Sequence, residues 1–245
     1  MLKKMLTVLG IILLLTVGII GTRTFITRHS QKELIPPAPE SLEVKQTETP
    51  TAPPVPSFNK AQLSTSDPTS PWVVVNKSRS LNPQSYTPSD LVSVGNNQQM
   101  RTEAATALMT LINAAKAEGL SIQALSGYRS YSRQVTVYNN EVATYGQAVA
   151  DTESAKPGHS EHQTGWAVDV GGGGCGIEDC FGATAEGKWL AINAYKYGFI
   201  VRYTAEKQAI TGYRAEPWHI RYIGTDLSTE MHNKSVVTLE EFFSL

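Results

Sequence analysis

The chain has 245 residues, of which 41% are hydrophobic, and its 21 Lys and Arg against 22 Asp and Glu leave a formal net charge of -1. That balance argues against a nucleic-acid binder that works through a concentrated basic face. The apolar fraction is ordinary for a globular protein, and the length allows one or two domains.

Lys3 and Lys4 precede an uncharged apolar run over 5–21, the pattern of a targeting segment. The run is short but sufficient for a membrane-spanning helix. No small-x-small cleavage site follows it, since Gly21-Thr22-Arg23 leads into Phe25 and Ile26, so residues 1–29 are expected to be a signal anchor rather than a cleaved signal peptide. Residues 30–69 are rich in Pro, Thr, Glu and Ser. Pro36, Pro37, Pro39, Pro50, Pro53, Pro54 and Pro56 exclude helices and central strands. This stretch reads as an extended linker, ahead of a folded domain over 70–245.

Within that domain, Trp72 and the three valines after it read as a short buried strand. Asn82-Pro83 and Thr87-Pro88 mark irregular chain. Ala104, Leu108, Leu111, Ile112 and Ala115 recur at helical spacing and predict a core helix over 100–118, capped at Gly119. Alternation of Leu120, Ile122 and Ala124 predicts a strand over 120–126. It delivers Gly127-Tyr128-Arg129-Ser130 to the start of a second helix over 131–145, with Ser130 as N-cap and Val135, Tyr138 and Val142 along one side. A short helix over 148–155 follows. Trp166, Val168 and Val170 alternate with Ala167 and Asp169, which predicts a strand with Asp169 on the face opposite the valines. Residues 171–174 are four glycines without the Lys-Ser/Thr of a phosphate loop. A helix over 185–197 with Trp189, Ile192 and Tyr195 available for packing, a strand over 199–203, and a strand carrying Trp218, Ile220 and Tyr222 come next. A closing helix over 238–243 turns Leu239 and Phe242 inward.

Three stretches carry chemistry. His162 and Asp169 lie seven residues apart with Gly165 between them, and Glu216-Pro-Trp-His219 supplies a second histidine. Two neutral imidazoles and a carboxylate form a set that Zn²⁺ accepts, with a fourth position left for water. Glu216 is then within reach of that water as a general base. Taken singly, each residue has a plainer reading: a histidine as a capped surface residue, an aspartate as a strand end. His159 competes with His162 as a ligand by spacing. Arg129, at a strand end beside a helix N-terminus, suits an anion; the plainer alternative is a surface ion pair. Cys175 and Cys180 are the only cysteines, and in an exported protein a disulfide closing this loop is expected.

The run Ser160-Glu-His162-Gln-Thr-Gly165-Trp-Ala167-Val-Asp169 together with Glu216-Pro-Trp218-His219 resembles the zinc D-alanyl-D-alanine carboxypeptidases of the VanY type. Gly127-Tyr-Arg129-Ser and Val75-Asn-Lys77 resemble that family as well, so the likeness extends from Trp72 onward. It implies an α+β fold, a small antiparallel sheet with flanking helices. It implies zinc on His162, Asp169 and His219, with His159 left at the rim, and Glu216 as base and then proton donor. Arg129 would stabilise the oxyanion or hold the substrate's terminal carboxylate, with Ser126, Gln134 and Ser160 adding hydrogen bonds to substrate. The implied partner is the peptidoglycan stem peptide, losing its C-terminal D-alanine outside the cell membrane to which the N-terminal segment would hold the enzyme. Related readings are an L,D-carboxypeptidase on tetrapeptide stems, an endopeptidase with a cleft open at both ends, and a non-catalytic wall-binding module with structural zinc.

Overall fold

The computed structural model describes residues 57–245; the expected anchor over 1–29 and the tether up to residue 56 lie outside the described residues. A small hairpin opens the regular structure: β1 (Leu91–Ser93) pairs antiparallel with β2 (Gln99–Arg101). Helix α1 (Thr102–Ala117) follows directly and buries Leu108 and Leu111 completely. Truncating either to Ala would cost about 2–5 kcal/mol. Next come β3 (Gln123–Ser126), α2 (Tyr131–Tyr145) and α3 (Gln147–Glu153). Ser130 caps α2 by accepting from the Arg133 amide at 3.2 Å. A 3₁₀ turn over Glu161–Thr164 leads into β4 (Ala167–Gly171). Then follow α4 (Ala185–Asn193), β5 (Phe199–Tyr203), the single turn α5 (Gln208–Thr211) and β6 (Glu216–Tyr222). Helices α6 (Thr225–Asn233) and α7 (Leu239–Phe243) finish the fold.

The main sheet has the order β3-β4-β6-β5, and all its neighbours are antiparallel. With helices around it, this is the α+β arrangement that the resemblance implies. β4 is buried at all five residues, so Val168 and Val170 can enter the main core while Asp169 is held on the other face, away from bulk water. The core joins Leu108 and Leu111 of α1, Val168 and Val170, Leu190, Phe199 and Ile220. A second cluster gathers Trp72, Val74, Ile223, Leu227, Met231, Leu239 and Phe242.

Several expectations change. Residues 72–75 are buried but form no strand. The carbonyls of Pro71 and Val73 accept instead from the Arg221 guanidinium at 2.9 and 2.8 Å, so a side chain does the work of a neighbouring strand. Part of the expected linker packs on the body: Phe58 lies 5.5 Å from the Trp72 ring and 5.6 Å from Phe242. Helix α4 ends at Asn193 and tightens into a 3₁₀ turn over Ala194–Tyr197, which leaves Ile192 exposed rather than packed. The strand expected from residue 120 begins at Gln123. Among the described residues no helix is long and apolar enough to cross a membrane. Cys175 and Cys180 are joined in a disulfide with Cα atoms 6.0 Å apart.

Candidate functional site

The two central strands bring the site together. β4 and β6 pair so that Asp169 stands opposite His219. His162 arrives from the 3₁₀ turn just before β4. That turn ends at Gly165, whose φ of +74° lies in the left-handed region. A side chain there would be strained, and its Cβ would sit 2.8 Å from Arg101 Cγ. The glycine therefore permits the tight reversal that returns His162 to the side of Asp169.

His162, Asp169 and His219 are all buried, and each can offer one ligand atom within 4.8 Å of the others'. His162 Nε2 lies 3.3 Å from Asp169 Oδ2, and His219 Nδ1 lies 3.1 Å from Asp169 Oδ1. A tetrahedral zinc with bonds of about 2.0–2.2 Å needs its ligand atoms roughly 3.3–3.6 Å apart. The chemistry of the donors fits as well. Asp169 Oδ1 is buried with no hydrogen-bond partner among the described residues, an arrangement that a cation resolves. His162 Nδ1 faces the Gly127 carbonyl at 2.9 Å and must donate to it, which leaves Nε2 as the free lone pair.

Electrostatics agree with this geometry. Burial works to raise the Asp169 carboxyl, but His162 and His219 outweigh it and hold it well below the usual carboxylate range. Burial lowers the His162 imidazole, favouring the neutral ring that a metal needs. At His219, burial opposes protonation, yet the facing carboxylates of Asp169 and Glu161 prevail and push the ring up to about 10. Proton and metal would thus compete for Nδ1.

Glu216 Oε2 lies 3.6 Å from His219 Nδ1. Burial, above all, pushes its carboxyl up to about 7, which suits a group that must accept and return a proton near neutrality. Arg129 is largely buried, and burial lowers its pKa; a guanidinium stays charged even so. Its Nη1 donates to Gln134 Oε1 at 3.0 Å and its Nη2 to Ser126 Oγ at 3.2 Å. Gln134 is fully buried and spends its amide on the Ala155 carbonyl at 2.7 Å. Ser126 and Gln134 therefore grip and aim Arg129 rather than standing free. Ser160, buried, lines the same cleft of about 580 Å³ as Arg129, His162, Asp169, Glu216 and His219. Trp218 also lines it, although its ring belongs to the core. His159 is not a lining residue and points its Nδ1 at the Asn76 carbonyl, 2.8 Å away. Lys77 caps the end of α3 through the carbonyls of Asp151, Thr152 and Ser154.

Glu161 is the residue that sequence reasoning missed. Wholly buried, it accepts from Arg202 Nε and Arg221 Nη1, both at 2.8 Å, and faces His219 Nε2 at 3.2 Å. The only signal in the sequence is its place beside His162.

Two imidazoles, one aspartate and a nearby elevated glutamate in one cleft define the donor set of a mononuclear metallohydrolase. Comparison with known proteins narrows this. The family described as VanY, D-alanyl-D-alanine carboxypeptidase, matches residues 97–225. YodJ of Bacillus subtilis (strain 168) is 46% identical over 181 residues, 69% of this chain and 66% of that protein. The D-alanyl-D-alanine carboxypeptidase of Enterococcus faecalis (strain ATCC 700802 / V583) is 34% identical over 164 residues, 63% of this chain and 59% of the relative. The match thus spans less than two thirds of either curated relative. Among solved structures, the LdcB LD-carboxypeptidase superposes with a TM-score of 0.68 at 44% identity, covering 72% of this chain and 87% of LdcB. A mutant of the vancomycin resistance D,D-pentapeptidase VanY, in complex with Zn(II), superposes with a TM-score of 0.61 at 32% identity, covering 69% of this chain and 97% of that one. The chain belongs to the VanY family of D-alanyl-D-alanine carboxypeptidases.

Proposed function

We propose that this protein is a zinc carboxypeptidase that removes the C-terminal D-alanine from peptidoglycan stem peptides. The observation that carries the reading is the convergence, in one cleft, of His162, Asp169 and His219 with Glu216 and Arg129. Zinc held by the first three supplies Lewis-acid chemistry, polarising a carbonyl and acidifying water. Glu216 takes a proton from the attacking water as the new C–O bond forms and delivers it to the departing amine nitrogen as the C–N bond breaks. Arg129, aimed by Ser126 and Gln134, meets the substrate's terminal carboxylate or the developing oxyanion with paired N–H donors. Ser160 adds a hydroxyl to the wall that the peptide contacts. The buried walls exclude water and strengthen each of these interactions.

The leading reading is a D,D-carboxypeptidase acting on pentapeptide stems. An L,D-carboxypeptidase acting on tetrapeptide stems is favoured by one observation: identity to the LdcB LD-carboxypeptidase is 44%, against 32% to the VanY D,D-pentapeptidase. Both reactions release one D-alanine, and the same residues serve both. Incubating the purified full-length protein with defined pentapeptide and tetrapeptide muropeptides, with the products weighed by mass spectrometry, tests the proposal. Loss of one alanine from the pentapeptide supports the first reading, and loss from the tetrapeptide the second. Absence of alanine release from either sinks both.

The same reading sets the enzyme outside the cell. Residues 1–29 would hold it at the membrane, and the Pro-rich chain after them would extend the domain toward the wall. Fractionation of cells expressing the full chain checks this: recovery with the cytoplasm would rule it out.

A further inference from the structure

We infer that Glu161 is a positioning residue that selects which nitrogen His219 presents to the cation, and that Arg202, Arg221 and Glu240 hold it in that task. The inference rests on the proposed zinc site. It begins with the two nitrogens of His219, each of which faces a carboxylate. Nδ1 faces Asp169 Oδ1 at 3.1 Å, and Nε2 faces Glu161 Oε2 at 3.2 Å. Among the described residues Asp169 Oδ1 has no hydrogen-bond partner, whereas the Glu161 contact is a hydrogen bond. An ionised carboxylate only accepts, so Nε2 is the nitrogen that donates to Glu161, and Nδ1 is the one left to a cation. Nδ1 faces the space shared with His162 and Asp169.

Glu161 can impose this because it is itself immobilised. Its Oε1 accepts from both Arg202 Nε and Arg221 Nη1, and its side chain is 0% exposed, as are those of both arginines. Arg202 turns its other face to Glu240 in a bidentate pair, Nη1 to Oε2 at 2.9 Å and Nη2 to Oε1 at 2.7 Å. Asn76 Nδ2 adds a bond to Glu240 Oε1 at 2.9 Å. Arg221 spends its remaining donors on the carbonyls of Pro71, Val73 and Tyr222. Two cations and two anions cancel in charge, and their donors and acceptors are paired, the condition under which a buried ionic cluster is tolerated. A carboxylate behind a histidine ligand also raises the ring's basicity toward a metal more than the backbone carbonyl behind His162 can. The two imidazoles are therefore unequal ligands.

The test measures zinc affinity of the full-length protein by competition with a chromophoric chelator, alongside thermal melts, for wild type, E161Q and E240Q. The expected result is a 10–100-fold weaker zinc affinity in E161Q, with a smaller change in E240Q, which leaves the Glu161–His219 contact in place. If both variants melt earlier yet bind zinc as tightly as wild type, Glu161 is only structural and the inference falls. Should E161Q fail to fold, ¹⁵N-histidine NMR of the wild type decides. The His219 resonances are assigned by their absence in H219A. In the zinc-loaded protein, a proton on Nε2 supports the inference; an Nε2 without a proton overturns it. Wild-type protein that takes up no zinc overturns the proposed function and this inference together. Zinc binding that is equal in wild type and E161Q overturns the inference alone.

Discussion

Glu216 and His219 stand three residues apart on β6 and yet face the same cleft, with Oε2 3.6 Å from Nδ1. A regular strand would send residues at odd spacing to opposite faces. The pairing with β5 explains the exception. Val201 pairs with Ile220, but Tyr203 pairs with Glu216, so β6 contains extra residues between the two rungs. Such a bulge re-aims side chains next to active sites, and Pro217, which has no amide proton to lend to a ladder, lies within it. The glutamate is thereby brought over the histidine's face of the sheet without joining the set of His162, Asp169 and His219.

From this relationship, E216Q should lower kcat by about 10²–10⁴, the usual contribution of a general base, while the zinc content of the protein stays at the wild-type level. Alanine-release assays and elemental analysis on the same preparation check both halves. Undiminished turnover in E216Q would exclude the role.

Arg129 gives a second expectation. R129K keeps the positive charge but loses the planar fork that meets Ser126, Gln134 and an anion together. A charged hydrogen bond is worth about 1.5–3 kcal/mol, so kcat/KM should fall roughly ten- to a hundredfold. Q134L, which removes the acceptor that aims the guanidinium, should lower kcat/KM by less. Steady-state kinetics on a defined muropeptide separate the two.

Removing the metal should abolish activity reversibly. Treatment with a strong chelator, followed by dialysis, is expected to give inactive protein that regains turnover on zinc addition. D169N, which replaces the carboxylate bearing the orphaned Oδ1 with an amide, should require more zinc to reach the same activity. Because zinc binds only the folded site, saturating it at a hundred times its Kd should add about 2.7 kcal/mol of stability. A differential melt of metal-free and zinc-loaded protein reads this directly.

Gly165→Ala tests the reversal between His162 and Asp169. The left-handed conformation costs a side chain roughly 1–2 kcal/mol, and the added Cβ must also displace Arg101 Cγ at 2.8 Å and Leu91 Cδ2 at 3.2 Å. Melting temperature should drop by about 2–4 °C for each kcal/mol lost in a domain of this size. Zinc affinity should fall with it, since the turn carries one donor and leads to another.

Acid should destabilise the fold through Glu240. Burial works to raise its pKa from 4.5, and the hydrogen bond and charge of Arg202 outweigh burial and lower it. A carboxyl with a depressed folded pKa contributes stability that is present above 4.5 and lost as pH falls through the lower folded value. Wild-type melting temperature should therefore decline steeply below about pH 4.5, the ordinary glutamate range. E240Q should start lower and show a flatter decline there. Equal slopes would exclude Glu240 as a source of acid lability.

Much of the site is legible in the sequence, because its residues sit in short continuous motifs: His162 and Asp169 in one, Glu216 and His219 in another, Arg129 in a third. The helices α1 and α2 are readable from apolar spacing, and β3, β4 and β6 from alternation. What stays hidden is long-range. Glu161 meets Arg202 and Arg221 across 41 and 60 residues, and Arg202 meets Glu240 across 38; no local pattern marks four charges as partners. The valines at 73–75 mislead for a related reason. Their burial is readable, but nothing local says that a guanidinium takes backbone carbonyls in this segment. Gln134 and Ser126 resemble substrate contacts because both are polar and near Arg129 in sequence; only the three-dimensional arrangement reveals that they grip the arginine. The hairpin of β1 and β2 and the polar helix α6 are too short or too hydrophilic to declare themselves by periodicity.

Glu240 lies on α7, downstream of the imidazole it helps to steady through Arg202 and Glu161. Without α7 the bonds from Arg202 and Arg221 to Glu161 and the contact of Glu161 with His219 would all remain, but Arg202 would lose its bidentate partner. The docking of α7 therefore reaches the imidazole only at second hand, through a single buried guanidinium.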